Sequence, residues 1–240
     1  MESYNKKIVV SGNMIEVYEY KNPVYYEKPK KQFIKQNRVN EIDGKRKKEL
    51  QRKSSIRAKR DLTRIIYCNV EEGSKFLTLT YEDNIIDLDI ANNEFKKFIK
   101  RLNYKYGLNL KYTAVVEFQE RGAIHYHAVL YNLTQRVESN ELATIWRNGF
   151  IKINEIQNTY EDIEKVKNYM LKDIMKNDIR LVGRKRYFNS RGIKRPEEIK
   201  DSEEVEDLLN ELSMDYFKGG RITENNYNEI DIKKYVMPIE

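Results

Sequence analysis

An α+β fold, with a central antiparallel β-sheet and helices flanking it, follows from three features of the sequence. Period-two stretches such as KFLTLTY (residues 75–81) stand beside 3.6-period amphipathic ones such as ANNEFKKFIKRLNYKYG (91–107). Two more strand patterns, KYTAVVEFQ and AIHYHAVLY, are separated only by ERG, a connection short enough to demand an antiparallel pair. At 240 residues the chain can bury a real core, which suits one domain with decorated ends.

In order, KIVVSGN and MIEVYEYKNPVYY alternate like strands around the turn signal Gly12–Asn13 and predict a hairpin. The stretch from Lys30 to Asn69 is helix-compatible on both sides of Gly44, with Leu50, Ile56, Leu62, Ile65 and Ile66 as a loose apolar stripe. Residues 91–107 predict a helix that buries Phe95, Phe98, Ile99 and Leu102 and ends at Gly107. SNELATIWRNG predicts a helix capped by Ser139 or Asn140 and ending at Gly149, followed by a short strand, FIKI. YEDIEKVKNYMLKDIMKND predicts another helix, its apolar side carrying Ile163, Val166, Met170 and Ile174. The resulting division is a hairpin and basic helical segment over 1–66, a core over 67–196, and an acidic helix with a C-terminal tail, docked on the core, over 197–240.

Charge is unevenly placed. Lys and Arg outnumber Asp and Glu by 45 to 38, and residues 28–64 hold 15 basic against 4 acidic side chains. Residues 196–215 reverse this with nine acidic residues against Lys200. A basic block fits a phosphate backbone, although solvated helical faces meet the same description. The single cysteine, Cys68, excludes an internal disulfide and a cysteine-based zinc cluster and predicts a reducing, cytoplasmic setting. No apolar run approaches the roughly 18 residues that span a bilayer, and MESYNKKIVVSGN lacks a signal peptide's apolar centre, so no membrane partner is expected.

The chain's only two histidines, His125 and His127, are two residues apart on a predicted strand and so share one face. The loop Glu120–Arg121–Gly122 matches a three-residue hairpin turn with its last residue left-handed, a conformation that glycine adopts cheaply. That turn sets Phe118 opposite Ile124 and Glu117 opposite His125, bringing Glu117, His125 and His127 onto one face as three candidate metal ligands. Tyr126 then points into packing. Two imidazoles and a carboxylate leave coordination positions open, as catalytic sites do. Downstream, Tyr169 and Lys172 share a helical face, with Lys176 one turn further on. A phenol is a weak nucleophile at neutral pH, and a neighbouring cation favours its ionised form.

The strand FLTLTY, the strand GAIHYHAVL with its His-hydrophobic-His triplet, and the helix segment YMLK resemble the three ordered motifs of the HUH endonucleases. More narrowly, they resemble the rolling-circle replication initiator (Rep) proteins of bacterial plasmids and phages. The similarity takes in SIRAKRDLTRII, IWRNGFIKI and GRKRYFNSRGIKRP, and so spans roughly residues 54–196.

The resemblance implies the HUH fold, with a topology like that of ferredoxins and RRM domains. It implies that His125, His127 and a third polar side chain, Glu117, bind Mn²⁺ or Mg²⁺. Tyr169 would attack a DNA phosphodiester to leave a 5′-phosphotyrosine and a free 3′-OH, with Lys172 assisting. The substrate would be single-stranded or hairpin DNA at a replication origin. Lys176 and the run holding Arg184, Lys185, Arg186 and Tyr187 mix phosphate-binding charge with a stacking ring and are the candidate DNA contacts. Some relatives place a second tyrosine one position after the motif lysine, where this chain has Asp173. Termination would then use a second subunit, an activated water or another group. No GxxxxGK[ST] loop occurs in the 240 residues, so a host helicase is implied as partner. A transposase or mobilisation relaxase would use the same chemistry, and a catalytically inactive origin-binding protein would keep the fold without it.

Overall fold

The computed structural model describes residues 2–26, 44–120, 122–175, 179–181, 184–200, 202–224 and 227–238. The chain begins with β1 (Ser3–Ser11), β2 (Met14–Tyr25) and α1 (Gly44–Asn69). It continues through β3 (Lys75–Thr80), α2 (Leu88–Tyr106), β4 (Tyr112–Phe118), β5 (Ile124–Leu130), α3 (Ser139–Trp146), β6 (Ile151–Glu155) and α4 (Tyr160–Met175). It closes with β7 (Tyr187–Asn189), β8 (Glu197–Ile199), α5 (Ser202–Glu211), β9 (Phe217–Glu224) and β10 (Glu229–Val236). The fold is α+β, built on two antiparallel five-stranded sheets. Contacts divide it into one unit of Met1–Lys47 with Arg195–Glu240 and a second of Lys48–Lys194. No described helix is long and apolar enough to cross a membrane.

The second unit carries the candidate site. Its sheet runs β6-β3-β5-β4-β7. From β3 to β6 the elements follow a β-α-β-β-α-β path, the strand order and connectivity of ferredoxin-like folds. One face is the core, where Leu77, Leu79, Ala114, Val116, Tyr126 and Ala128 pack against Phe95, Phe98 and Leu102 of α2 and Trp146 of α3. Helix α2 is fixed at both ends. Asp87 accepts hydrogen bonds from the Asp89 and Ile90 amides, and Gly107, at φ 63°, donates its N–H to Asn103 O.

Helix α3 departs from expectation. It is preceded by Glu138, which makes no side-chain cap, and it stops at Trp146 with Arg147 left-handed at φ 66°. The earlier stop brings Asn148 to the sheet, where its carbonyl accepts from the Glu82 amide at 2.8 Å, while Trp146 is fully buried. Strand β7 is a second departure. Phe188, which follows the candidate DNA contact Tyr187 in sequence, packs edge-on against Phe95 at 5.3 Å between centroids and belongs to the core.

In the other unit the sheet order is β8-β1-β2-β10-β9. The hairpin β1–β2 turns at Gly12–Asn13 with Gly12 at φ 59°, and Ser11 pairs with Met14. Helix α5 packs Val205, Leu208 and Leu209 against Ile8, Ile15 and Val17 of one sheet face. The C-terminal residues, expected as a tail, form β9 and β10, and β10 pairs along β2.

Candidate active site

The register of β4 and β5 places the histidines. Gln119 N donates to Ala123 O at 2.9 Å, Gly122 takes φ 89°, and Glu117 pairs with His125 while Phe118 pairs with Ile124. Period-two alternation therefore sends Tyr126 into the core, where it is fully buried and donates to Asn92 Oδ1 at 2.9 Å. His125, His127 and Glu117 occupy the opposite face, which α4 meets where Tyr169 contacts His127.

His127 is almost fully buried, so both ring nitrogens need partners. Its Nε2 lies 2.8 Å from Glu117 Oε2, and its Nδ1 lies 3.2 Å from Thr78 Oγ1. A carboxylate only accepts, so Nε2 carries the proton toward Glu117. The Thr78 hydroxyl either donates to a bare Nδ1 or accepts from a protonated one, and so holds the ring through a change of tautomer. The ring is also flanked by Phe76, stacked at 6.0 Å with planes 13° apart.

Across from it stands Tyr169. Its ring meets His127 edge-on with centroids 4.8 Å apart and meets Phe76 at 5.5 Å. Helix α4 buries Ile163, Met170 and Ile174 and leaves Tyr169 about half exposed. The helix is tied to α1 by Tyr67, whose hydroxyl donates to Glu164 Oε1 at 2.7 Å, and burial with that carboxylate pushes the Tyr67 phenol far up. Lys172 lies exposed three residues after Tyr169.

The donor set of two imidazoles and one carboxylate on one face fits a divalent ion that accepts nitrogen and oxygen ligands. The His127–Glu117 hydrogen bond joins two of the candidate ligand atoms, and an ion between them would displace its proton. The expected convergence of three donors is only partly reached. His125 is turned toward Gln119, its Nδ1 3.5 Å from Nε2 of that amide. Among the described residues no group of three His, Cys, Asp or Glu side chains has metal-site spacing.

The predicted DNA contacts separate. Lys185 is exposed, and Tyr187 lies on the site face, paired with Val115 in the row of His127. Arg184 is exposed but holds Asp89 through its two terminal guanidinium nitrogens at 2.7 and 3.1 Å. Arg186 is buried and donates to Ile174 O at 3.1 Å, completing the end of α4 rather than facing solvent. Lys176 lies outside the described residues. Thr78 was missed as a partner of His127, although its alternation with Leu77 and Leu79 had already put it on the polar face.

Residues 74–178 match the family model of the replication-associated protein ORF2. The matched span runs from the start of β3 past the end of α4 and includes Glu117, His125, His127, Tyr169 and Lys172. No curated protein matches the chain. Among solved structures, the hypothetical protein ORF119 from Sulfolobus islandicus rod-shaped virus 1 is 16% identical, with a TM-score of 0.34 over 48% of this chain and 91% of that one, a level too low to show a shared fold. Over residues 74–178, then, the chain is similar to proteins associated with replication.

Proposed function

We propose that the protein is a site-specific single-strand DNA endonuclease and strand transferase that initiates rolling-circle replication. The observation that carries this reading is the edge-on contact of an exposed tyrosine with a buried, carboxylate-bonded histidine. Similarity to replication-associated proteins over the same residues supports it.

In this reading Glu117, His125 and His127 hold Mn²⁺ or Mg²⁺, which when bound polarises the scissile phosphate. Tyr169 Oη attacks the phosphorus, forming a tyrosyl ester with the 5′-phosphate. The 3′-oxygen leaves and gains the proton that the phenol gives up. Lys172, one helical turn along, favours the ionised phenol, its effect moderated by solvent. The bond energy is kept in the ester, so a free 3′-OH can reverse the step without an outside energy source. Lys185, Tyr187 and Lys176 contact DNA at the origin, and a host helicase opens the duplex.

A nicking assay on single strands from both strands of the native flanking DNA tests the proposal. We expect cutting at one position with Mn²⁺ or Mg²⁺, its loss on addition of EDTA, and its recovery when the ion is restored. Site-independent cutting, or none across the region, would reject it.

A further inference from the structure

Strand β6 is the outermost strand of its sheet beside β3. Alternation turns Ile151 and Ile153 toward the core, and it turns Lys152 and Asn154 to the face of His127, where they pair with Thr78 and Phe76. The ladder extends one residue back, because Thr80 N donates to Phe150 O at 2.9 Å. Phe150 therefore falls in the row of Thr80, His125 and Glu117. Its side chain is 75% exposed, and both Lys152 and Asn154 are exposed beside it.

The backbone holds the ring in that position. Gly149, at φ 139°, lies so close to the end of β3 that a Cβ there would sit 2.4 Å from Glu82 N and 2.6 Å from Thr80 O. Trp146, fully buried, donates from Nε1 to the same Thr80 carbonyl at 3.1 Å. Phe150 is thus presented to solvent from an edge anchored to the end of β3. A single exposed aromatic ring is ordinary, but here a ring, a cation and an amide follow one another at two-residue intervals on the site face. That interval is comparable to the separation of successive nucleotides in an extended single strand. Between this edge and α4 lies a cavity of about 400 Å³, whose lining includes Thr78, Lys152, Asn154, Lys165 and Tyr169.

We infer that the β6 edge is a binding track that leads single-stranded DNA to Tyr169. Phe150 stacks on a base, Lys152 pairs with a phosphate, and Asn154 hydrogen-bonds the edge of a base entering the cavity. The inference rests on the single-strand endonuclease reading above and adds to it the residues that seat the strand beside the cut.

The test is fluorescence anisotropy of the full chain with a fluorescein-labelled oligothymidylate of about 20 nucleotides, in EDTA and across a KCl series. Phe150→Ala should weaken binding about tenfold with an unchanged salt slope, since stacking releases no counterions. Phe150→Trp should bind at least as tightly as the wild type. Lys152→Ala should weaken binding and reduce the slope of log K against log salt by about 0.7. Wild-type binding that neither Phe150→Ala nor Lys152→Ala alters would overturn the track and leave the endonuclease reading standing. A wild-type chain that does not bind the oligonucleotide at low salt would overturn both.

Discussion

Thr78 and His127 face each other across β3 and β5, Oγ1 3.2 Å from Nδ1, and this contact decides how the imidazole is presented. A hydroxyl that serves as donor or acceptor keeps the ring aligned whether Nε2 carries a proton or a metal.

Thr78→Val keeps the shape and removes the hydroxyl. If His127 holds the ion as proposed, the substitution weakens Mn²⁺ binding about 10- to 100-fold, the range found for partners that orient a metal-ligating histidine. Isothermal titration of the unliganded protein with Mn²⁺ measures this apart from turnover, and Thr78→Ser should restore most of the affinity. Equal affinity in Thr78→Val and the wild type would show that the hydroxyl does not orient the ring.

Gly149 and Gly107 separate steric crowding from backbone strain. Both have positive φ, but a Cβ at Gly107 meets nothing within 4 Å, whereas one at Gly149 collides with two backbone atoms of the β3 end. Gly107→Ala should cost about 1 kcal/mol of stability, and Gly149→Ala on the order of 3 kcal/mol. Urea unfolding of the two variants beside the wild type gives the comparison.

The hydrogen bonds and charge of Arg184 hold the Asp89 carboxyl below its usual range. A depressed folded-state value means that the pair's contribution is fully present above the unfolded carboxylate value of about 3.9 and is lost as pH falls through the folded one. Asp89→Asn should therefore lower the melting temperature slightly at neutral pH and low salt, with the difference vanishing in acid or at high salt. The same substitution releases Arg184, and binding of single-stranded DNA should tighten a few-fold.

The site face was legible in the sequence because one local feature determined it. A three-residue turn ending in glycine fixes the register of β4 and β5, and that register puts Glu117 opposite His125 and Tyr126 in the core. Helix α2 was equally legible, with a strong apolar period and a glycine at its end. What stayed hidden depends on distant partners. Arg186 looks like any exposed cation until the end of α4 is placed over it, and Phe188 reads as a surface ring until β7 pairs with β4. The alternation of β9 and β10 is blurred by Gly219, Gly220 and a run of charged residues, so pairing with β2 rather than local pattern makes them strands. The turn of His125 toward Gln119 is a side-chain choice that no strand periodicity encodes.

If Tyr169 is the nucleophile, as proposed, the sequence around it makes a direct measurement available. Trypsin cuts after Lys167 and Lys172, which leaves Tyr169 as the single tyrosine of the peptide Asn168–Lys172. The protein is incubated with Mn²⁺ and single strands of its flanking DNA, the DNA is digested to short remnants, and the tryptic peptides are weighed. A nucleotide 5′-phosphate is expected on that peptide, absent in Tyr169→Phe and in His127→Ala. A nucleotide on any other tyrosine, or cleavage that persists in Tyr169→Phe, would contradict it.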